Sequence, residues 1–240
     1  ELLPWLNEYT FPLESEFDNI EFAKEHYKNF IQDLKEAGTT RACIFASRHK
    51  PATALLIKLL KESGIGAYVG KVNMDRNSNP KLQETTEQSI SETLELLEED
   101  VTLYGSNEGT ESPLVQYILT PRFVPSTTST LMKALGEIAE KYNLPIQSHL
   151  CENRSEVAWV KELHPYINSF TEVYEHFGLI RHARTIMAHC IYNTDDEIEI
   201  LRKNQVYVAH CPQSNFNLAS GIMPLRKYLN LNIPVGLGSD

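Results

Sequence analysis

The sequence predicts an α/β fold, a (β/α)8 barrel of the TIM type with parallel strands as its inner wall. The main observation is an alternation of strand-length apolar runs and amphipathic helical segments along the 240 residues. Parallel neighbours need a crossover connection, usually a helix, so the alternation indicates a parallel sheet. About seven strand candidates are present. We therefore expect residues 1–240 to form a single domain, with the barrel's first strand and last helix outside them.

Helices are predicted where apolar residues recur at helical spacing, as Ala23, Tyr27 and Ile31 do. Gly38 supplies the stop of that first helix. Thr194 and Glu197 have the spacing of a capping box, which marks another helix start. The helices cover residues 20–37, 52–62, 85–98, 129–142, 156–163, 171–177, 195–204 and 223–229, and the acidic run 92–100 is interpreted as an exposed helix face.

Strands are predicted where β-branched and apolar residues run between turn-forming residues such as Gly64 and Gly66. These runs cover residues 39–46, 67–72, 115–119, 144–148, 185–188, 205–209 and 233–237. Active sites of parallel barrels form at the carboxyl ends of the strands. The residues that follow each run are therefore the first candidates for function.

The chain is acidic, with a formal net charge of −10 and a pI near 5.3. Binding to nucleic acid or to an anionic membrane surface relies on clustered Lys and Arg, so neither partner is expected. We find no apolar run long enough to span a bilayer and no signal peptide. The four cysteines include no Cys-x-x-Cys pair, which argues against a structural zinc ribbon, and reduced thiols favour a cytoplasmic location.

His149 and Glu152 form a His-x-x-Glu pattern just beyond the run 144–148. Zinc binds neutral imidazole nitrogens and carboxylate oxygens, and a catalytic zinc site leaves one position open for water. A carboxyl group a few residues beyond a ligand can reach that water and carry its proton. The alternative is structural, with Glu152 placed favourably near the positive end of a helix.

Three other strand ends carry polar residues. His189 is either functional or a core histidine bonded to a backbone carbonyl. Asp240 follows a glycine-containing run and is either a metal ligand and base or the N-cap of a following helix. His210 either touches a substrate or orders the loop after it, where Pro212 ends the strand.

Arg122 and Phe123 follow another run, and they could pair a hydrogen-bond donor with a stacking face for a flat heterocycle. The structural alternative is a surface arginine over a packed phenylalanine. The remaining histidines are predicted to be solvated on helices or loops, namely His26, His49, His164, His176 and His182.

Five segments together resemble the amidohydrolase superfamily, and most closely the guanine-deaminating members of its mononuclear deaminase branch. The segments are PRF at 121–123, QSHLCEN at 147–153, MAHC at 187–190, AHCPQSN at 209–215 and GLGSD at 236–240. The resemblance extends over nearly the whole chain, although single segments are shared with other heterocycle deaminases. It implies a barrel of the metal-dependent hydrolase kind, with a small terminal β-sandwich that residues 1–240 do not include.

The resemblance further implies one zinc ion, held by a His-x-His pair from the first strand, by His149 and by Asp240. No His-x-His occurs in the 240 residues, so we expect those two ligands from sequence outside them. Iron accepts the same donor types. Glu152 corresponds to the family's proton shuttle and His189 to the residue that positions the water, both acting with Asp240. A shuttle must hold a proton for part of the cycle, so we expect a raised pKa at Glu152.

Arg122 and Phe123 correspond to the family's purine-binding pair, and His149, Glu152 and Asp240 also border the substrate. The implied reaction is the hydrolytic conversion of guanine to xanthine and ammonia, a step of purine catabolism, in a homodimer as is usual in the family. Two alternatives stay open. One is deamination of another aminated heterocycle, such as an adenosine derivative, cytosine or a triazine; the other is a barrel kept as a non-catalytic scaffold.

Overall fold

The described β-strands all pair in parallel, and their order in space follows their order along the chain. The computed structural model describes residues 5–104 and 113–240. The strands are β1 (Arg41–Phe45), β2 (Gly66–Gly70), β3 (Val72–Asn73), β4 (Val115–Tyr117), β5 (Thr120–Pro121), β6 (Ile146–Leu150), β7 (Thr185–His189), β8 (Tyr207–His210) and β9 (Val235–Leu237).

The short strands combine into an open barrel wall. Only Lys71 separates β2 from β3, and only two residues separate β4 from β5. Each pair therefore forms one interrupted strand of the barrel wall. β1 pairs with β2, β2 and β3 pair with β4 and β5, and a bridge between Leu119 and Ile146 joins this part to the β6–β9 sheet. Each predicted run lies on one position of this wall, which confirms the predicted parallel α/β fold.

A polar side chain inside the wall ties strands that are not neighbours in the sheet. Gln147 Nε2 of β6 donates to Ile44 O of β1 (2.9 Å) and to Thr120 Oγ1 of β5 (2.9 Å). Gln147 Oε1 accepts from Cys43 Sγ of β1 (2.9 Å). Contact between β1 and β6 requires the sheet to curl back on itself, as it does in a barrel.

Helices connect successive strands of the wall. They are α1 (Phe11–Ser15), α2 (Ile20–Glu36), α3 (Lys50–Ser63), α4 (Thr86–Glu99), α5 (Ser129–Tyr142), α6 (Arg154–Leu163), α7 (Phe170–His176), α8 (Asp195–Lys203), α9 (Pro212–Asn217) and α10 (Leu225–Asn230). The predicted capping box of Thr194 and Glu197 is present at the start of α8. In the part of the chain that the structure describes, no helix is both long and apolar enough to cross a bilayer.

Helices α1 and α9 are absent from the predicted elements. Each has a proline in its first turn, Pro12 in α1 and Pro212 in α9. Proline is tolerated there because the first-turn amides have no intrahelical partner. Pro212 therefore begins a helix as well as ending a strand. Further helical turns are a π-helical turn at Leu6–Thr10 and 3-10 turns at Glu16–Asp18, Val101–Leu103 and Val124–Ser126.

Two apolar clusters hold these elements together. The larger one fills the wall and the space between wall and helices, and includes the fully buried Val69, Leu119 and Met187. The smaller one packs α1 against the carboxyl ends of β1 and β3. Its members are Phe11, Val72, Met74 and Leu82, with Leu6 and Phe45 partly buried beside them.

Two of the five histidines predicted to be solvated are buried, so that prediction is wrong for them. His49 is 3% exposed at the N-terminus of α3, where its Nδ1 lies 3.2 Å from Ser47 Oγ. His164 is 8% exposed and lies edge-on to the ring of Phe177. Sequence position at a helix end does not show which neighbouring elements pack over it. His26, His176 and His182 are exposed as predicted.

The acidic run 92–100 is likewise only partly an exposed face. Glu92 turns inward, with its Oε2 3.7 Å from the Nζ of Lys71. Lys71 is fully buried and forms a closer ion pair with Glu84. A buried ammonium requires paired carboxylates, which explains why an acidic residue of this helix faces the wall.

Candidate metal centre and active site

Three predicted site residues meet at the carboxyl ends of the strands. His149 lies on β6, His189 ends β7, and Asp240 follows β9. One ligand atom from each lies within 4.8 Å of the others. His149 Nε2 is 4.0 Å from Asp240 Oδ1, and His189 Nε2 is 3.7 Å from Asp240 Oδ2. The register brings them together, because β6 pairs with β7, β7 with β8 and β8 with β9.

The surroundings of His149 leave one ring nitrogen available. Its Nδ1 lies 2.7 Å from the backbone O of Arg122, and a carbonyl can only accept, so Nδ1 carries the proton. Burial lowers the pKa of His149, and the parallel ring of His189 lowers it further. The imidazole is therefore neutral near pH 7, with the Nε2 lone pair directed at the cluster. This is the form in which histidine binds a metal.

The ring of His189 is held by a hydrogen bond on its other side. Its Nδ1 donates to Asn215 Oδ1 (2.8 Å), which directs Nε2 at the cluster. The side chain is fully buried, and among the described residues Nε2 has no hydrogen-bond partner. It lies 3.7 Å from carboxylate oxygens of Glu152 and Asp240. His189 also has a left-handed backbone (φ 71°), a strained conformation for a residue with a side chain and one that is common in active sites.

Glu152 is buried beside this cluster, with 3% of its surface exposed. Its Oε1 accepts from Ser220 Oγ (2.8 Å), which leaves Oε2 facing His189. Burial raises the pKa of Glu152, as expected for a proton carrier. Glu152 directly precedes Asn153, the N-cap of α6, so its position near the positive end of a helix is also as the structural alternative expects.

Asp240 is held ready to act as a carboxylate. Its Oδ2 accepts from Ser214 Oγ (2.5 Å). Burial alone would raise the pKa of Asp240, but the two imidazoles and the Ser214 hydroxyl hold it below its ordinary value. Gly238 allows the close approach of this strand end, because a Cβ there would lie 2.9 Å from Cys211 Sγ.

Glu156 supports the turn that carries Glu152. Its Oε2 accepts from the backbone N–H of Glu152 (2.8 Å) and of Asn153 (3.4 Å). Asn153 Oδ1 accepts in return from the Glu156 N–H (2.9 Å), which completes a capping box at the start of α6. Burial, together with the nearby Glu152 carboxylate, raises the pKa of Glu156 to about 8.

Replacing Glu156 with Gln is expected to flatten the pH dependence of stability between the ordinary glutamate pKa of 4.5 and the raised value of about 8. The folded chain binds this proton more tightly than the unfolded chain, so the free energy of unfolding falls as pH rises through that window. At about 1.4 kcal/mol for each pKa unit, the wild type should lose about 5 kcal/mol more than Glu156→Gln across it.

Denaturant titrations of the wild type and Glu156→Gln at the two ends of this window measure the difference. Glu162→Gln is the matched control, because Glu162 is exposed on the same helix. Its profile should follow the wild type. Parallel profiles for Glu156→Gln and the wild type would show that Glu156 does not take up a proton on folding.

Arg122 and Phe123 directly follow β5, next to the cluster, where the backbone O of Arg122 contacts His149 Nδ1. Arg122 Nη1 donates to Glu14 Oε2 (2.6 Å), and its side chain is only 14% exposed. Phe123 is buried and lies edge-on to Trp159 (6.5 Å between ring centroids). The alternative of a surface arginine is therefore wrong, whereas the phenylalanine is packed in either interpretation.

His210 ends β8 next to the loop that leads to Asp240. Its backbone O accepts from Gly238 N (2.9 Å). Burial lowers the pKa of His210, and the proximity of His189 contributes to the same effect. The Nδ1 atom is buried and has no partner among the described residues. Both predicted roles, contact with a substrate and ordering of the loop, remain compatible with this position.

Several residues of the site carry no prediction from the sequence. Asn215 and Ser214 lie in the segment 209–215, where their spacing after His210 was the only signal. Ser220 and Glu14 follow no recognisable pattern, because each contacts its partner from a distant part of the chain.

The donor atoms fit a transition metal. Imidazole nitrogens and a carboxylate oxygen are ligands that zinc and iron accept, whereas magnesium and calcium prefer oxygen donors throughout. The Nε2 of His189 is buried and has no hydrogen-bond partner among the described residues, which fits a polar group or an ion at this place.

An α/β barrel that gathers imidazole and carboxylate donors at its strand ends is the architecture of a metal-dependent hydrolase. The amidohydrolase family matches residues 3–240, and the chain belongs to this family. Family membership confirms the resemblance found in the five sequence segments.

Two relatives show how far the similarity extends. Guanine deaminase of Dictyostelium discoideum is 47% identical over 239 residues, which cover 100% of this chain and 51% of the relative. Guanine deaminase of Homo sapiens is 41% identical over 240 residues, with 100% and 51% covered. The chain thus spans about half the length of the curated relatives it matches.

Solved structures support the same placement. Guanine deaminase from C. acetobutylicum, with bound guanine in the active site, is 50% identical and has a TM-score of 0.93, covering 100% of this chain and 55% of that chain. Atrazine chlorohydrolase from Arthrobacter aurescens TC1, complexed with zinc, is 19% identical and has a TM-score of 0.70, with 83% and 43% covered. The second likeness concerns the fold alone.

Proposed function

We propose that this protein catalyses the hydrolytic deamination of guanine to xanthine and ammonia. The observation that carries the proposal is the cluster of Glu152, His189 and Asp240 beside His149, in which a buried carboxyl group, imidazole nitrogens and a second carboxylate face one another. The similarity to proteins named guanine deaminase over the full length of the chain supports the choice of substrate.

The proposed cofactor is one zinc ion, for which His149 Nε2 and an Asp240 oxygen are the donors present in this chain. When bound, such an ion lowers the pKa of a coordinated water and so supplies a nucleophile near neutral pH. The family resemblance implies two further histidine donors from a His-x-His pair, which the 240 residues do not contain. Metal analysis of the purified protein distinguishes zinc from iron.

The residues of the chain then divide the proton transfers between them. Asp240 and His189, through its Nε2, orient the attacking water and take up its proton. Ser214 holds the Asp240 carboxylate and Asn215 holds the His189 ring, so neither group has to reorient during the reaction.

Glu152 delivers protons on the substrate side. In its protonated form it donates to the ring nitrogen next to the carbon that bears the amine. It later protonates the leaving amine with the proton that Asp240 and His189 take from the water. Burial raises the pKa of Glu152, which favours the protonated form that this role needs, while Ser220 fixes one oxygen and leaves the other directed at the cluster.

Arg122 and Phe123 are the proposed purine-binding residues. The guanidinium of Arg122 donates to the oxo group, and the ring of Phe123 packs on the heterocycle. His149, Glu152 and Asp240 border the reacting carbon. In this assignment Arg122 binds the oxo group of guanine and not the amine that leaves.

The direct test is a substrate panel with the full-length protein. Guanine, cytosine, an adenosine derivative and an aminated triazine are compared by the rate of ammonia release, with xanthine formation followed by absorbance. We expect the highest kcat/KM for guanine. A higher kcat/KM for another amine would replace guanine as the assigned substrate. If the purified protein contains no zinc and deaminates none of these compounds, a non-catalytic binding scaffold would be favoured.

We also propose a homodimer in the cytoplasm, with residues 1–240 forming a single catalytic domain. The four cysteines are all free thiols, which supports a reducing compartment. Light scattering of the purified protein measures the oligomeric state.

A further inference from the structure

The guanidinium of Arg122 contacts residues that come largely from the N-terminal part of the chain. Its Nη1 donates to Glu14 Oε2 at 2.6 Å, and its central carbon lies 4.9 Å from the ring centroid of Phe11. Nη1 also lies 3.9 Å from Met74 Sδ. Arg122 and Glu14 are both largely buried, at 14% and 12% side-chain exposure.

These contacts are held in place because α1 packs against the barrel. Phe11 is buried in the smaller apolar cluster with Val72, Met74 and Leu82, which packs α1 against the carboxyl ends of β1 and β3. The backbone of Arg122 is fixed independently, since its N–H donates to Asn73 O (3.1 Å). The long arginine side chain is thus held at both ends, by β5 and by α1.

We infer that Glu14 is a positioning residue that aims Arg122 at the substrate and thereby sets the preference for an oxo group at that ring position. This inference rests on the proposed function. A carboxylate on one guanidinium nitrogen makes a strong charge-assisted hydrogen bond and fixes the plane of the group. The guanidinium then presents its remaining N–H groups, which can only donate.

A guanidinium that can only donate hydrogen bonds favours an oxo group on the ring and disfavours an amino group at the same position. Without Glu14, the side chain of Arg122 would sample several rotamers. The guanidinium would then lose part of its hydrogen bonding to the oxo group. The contact is distant from the reacting carbon, so it should strengthen binding of substrate and transition state alike. Its loss is expected in KM and Kd and not in kcat.

The test uses the full-length protein and two ligands, guanine and 2-aminopurine, which lacks the oxo group. Glu14→Ala is expected to raise the Kd and KM for guanine by about 10–100-fold, with kcat little changed. The Kd for 2-aminopurine, followed by its fluorescence, should stay at the wild-type value. Glu14→Gln retains a neutral acceptor and should restore part of the affinity for guanine.

Glu16→Ala is the matched control, because it removes the same charge from the same segment at an exposed position. It should leave both ligands unaffected. An equal loss for guanine and 2-aminopurine in Glu14→Ala would show that Glu14 only supports the fold and would overturn the inference. If Glu14→Ala does not fold, as judged by circular dichroism, the same ratio of Kd values in Glu14→Gln decides.

The binding measurement separates this inference from the proposed reaction. A wild type that prefers guanine over 2-aminopurine without deaminating it would contradict the proposed function, and the Glu14 variants would still test the role of Glu14. A wild type that binds both ligands equally well, or does not bind guanine, would overturn the inference directly.

Discussion

Replacing Glu152 with Gln is expected to lower kcat for guanine by about 10²–10⁴-fold, the range that a positioned proton donor contributes. Gln has nearly the same size and its amide oxygen can still accept from Ser220, so the loss reflects the missing proton. The metal content of the full-length protein should remain at the wild-type level, because His149 and Asp240 are unchanged. Initial rates of xanthine formation and metal analysis measure the two properties.

Glu162→Gln is the control for this variant, because Glu162 is an exposed carboxylate ten residues along the same stretch of chain. It should have the kcat of the wild type. A Glu152→Gln variant as active as this control would remove Glu152 from the proton transfers and would leave His189 and Asp240 as the only candidates for them.

His149→Ala is expected to abolish guanine turnover and to remove the metal, whereas His189→Ala should lose activity and keep the metal. His149 is the proposed ligand, and a metal site that loses one of its imidazoles binds far more weakly. His189 is proposed to act on the water, so its loss should lower kcat by about 10²–10⁴-fold. Metal analysis of both purified variants, followed by kinetics, measures the difference.

The exposed His182, just before β7, offers a matched control for both variants. His182→Ala should keep metal and activity. The comparison is informative because the Nε2 atoms of His149 and His189 both lie beside Asp240. Complete loss of metal from His189→Ala would make His189 a ligand rather than a residue that orients the water.

The wall of the barrel was predictable from the sequence because strands and helices leave local signals. Apolar runs between turn residues coincide with β1, β2, β4 and β6 to β9, whereas β5 lies just beyond the predicted run 115–119. The capping residues Thr194 and Glu197 marked a helix start. The short helices α1 and α9 were missed, because a helix of one or two turns shows too little periodicity to be recognised. Pro12 and Pro212 were their only local markers.

The burial of single polar residues was less predictable. His49 and His164 occur in polar surroundings along the chain, and yet both are covered by elements distant in sequence. Glu92 belongs to an acidic run but turns toward the buried Lys71. For His164 and Glu92 the contacting side chain is supplied by another element, so composition near the residue gives the wrong answer.

The sequence by itself determined the parallel α/β class and the positions of His149, His189 and Asp240 at strand ends, because both depend on the local order of runs and polar residues. Only the tertiary structure decided which ring nitrogens face the cluster, how Ser220 orients Glu152, and that Glu14 holds Arg122 from 108 residues away. These contacts depend on how the sheet curls and on what packs across its carboxyl end. Such long-range geometry is a property of the folded chain and leaves no periodic signal in the sequence.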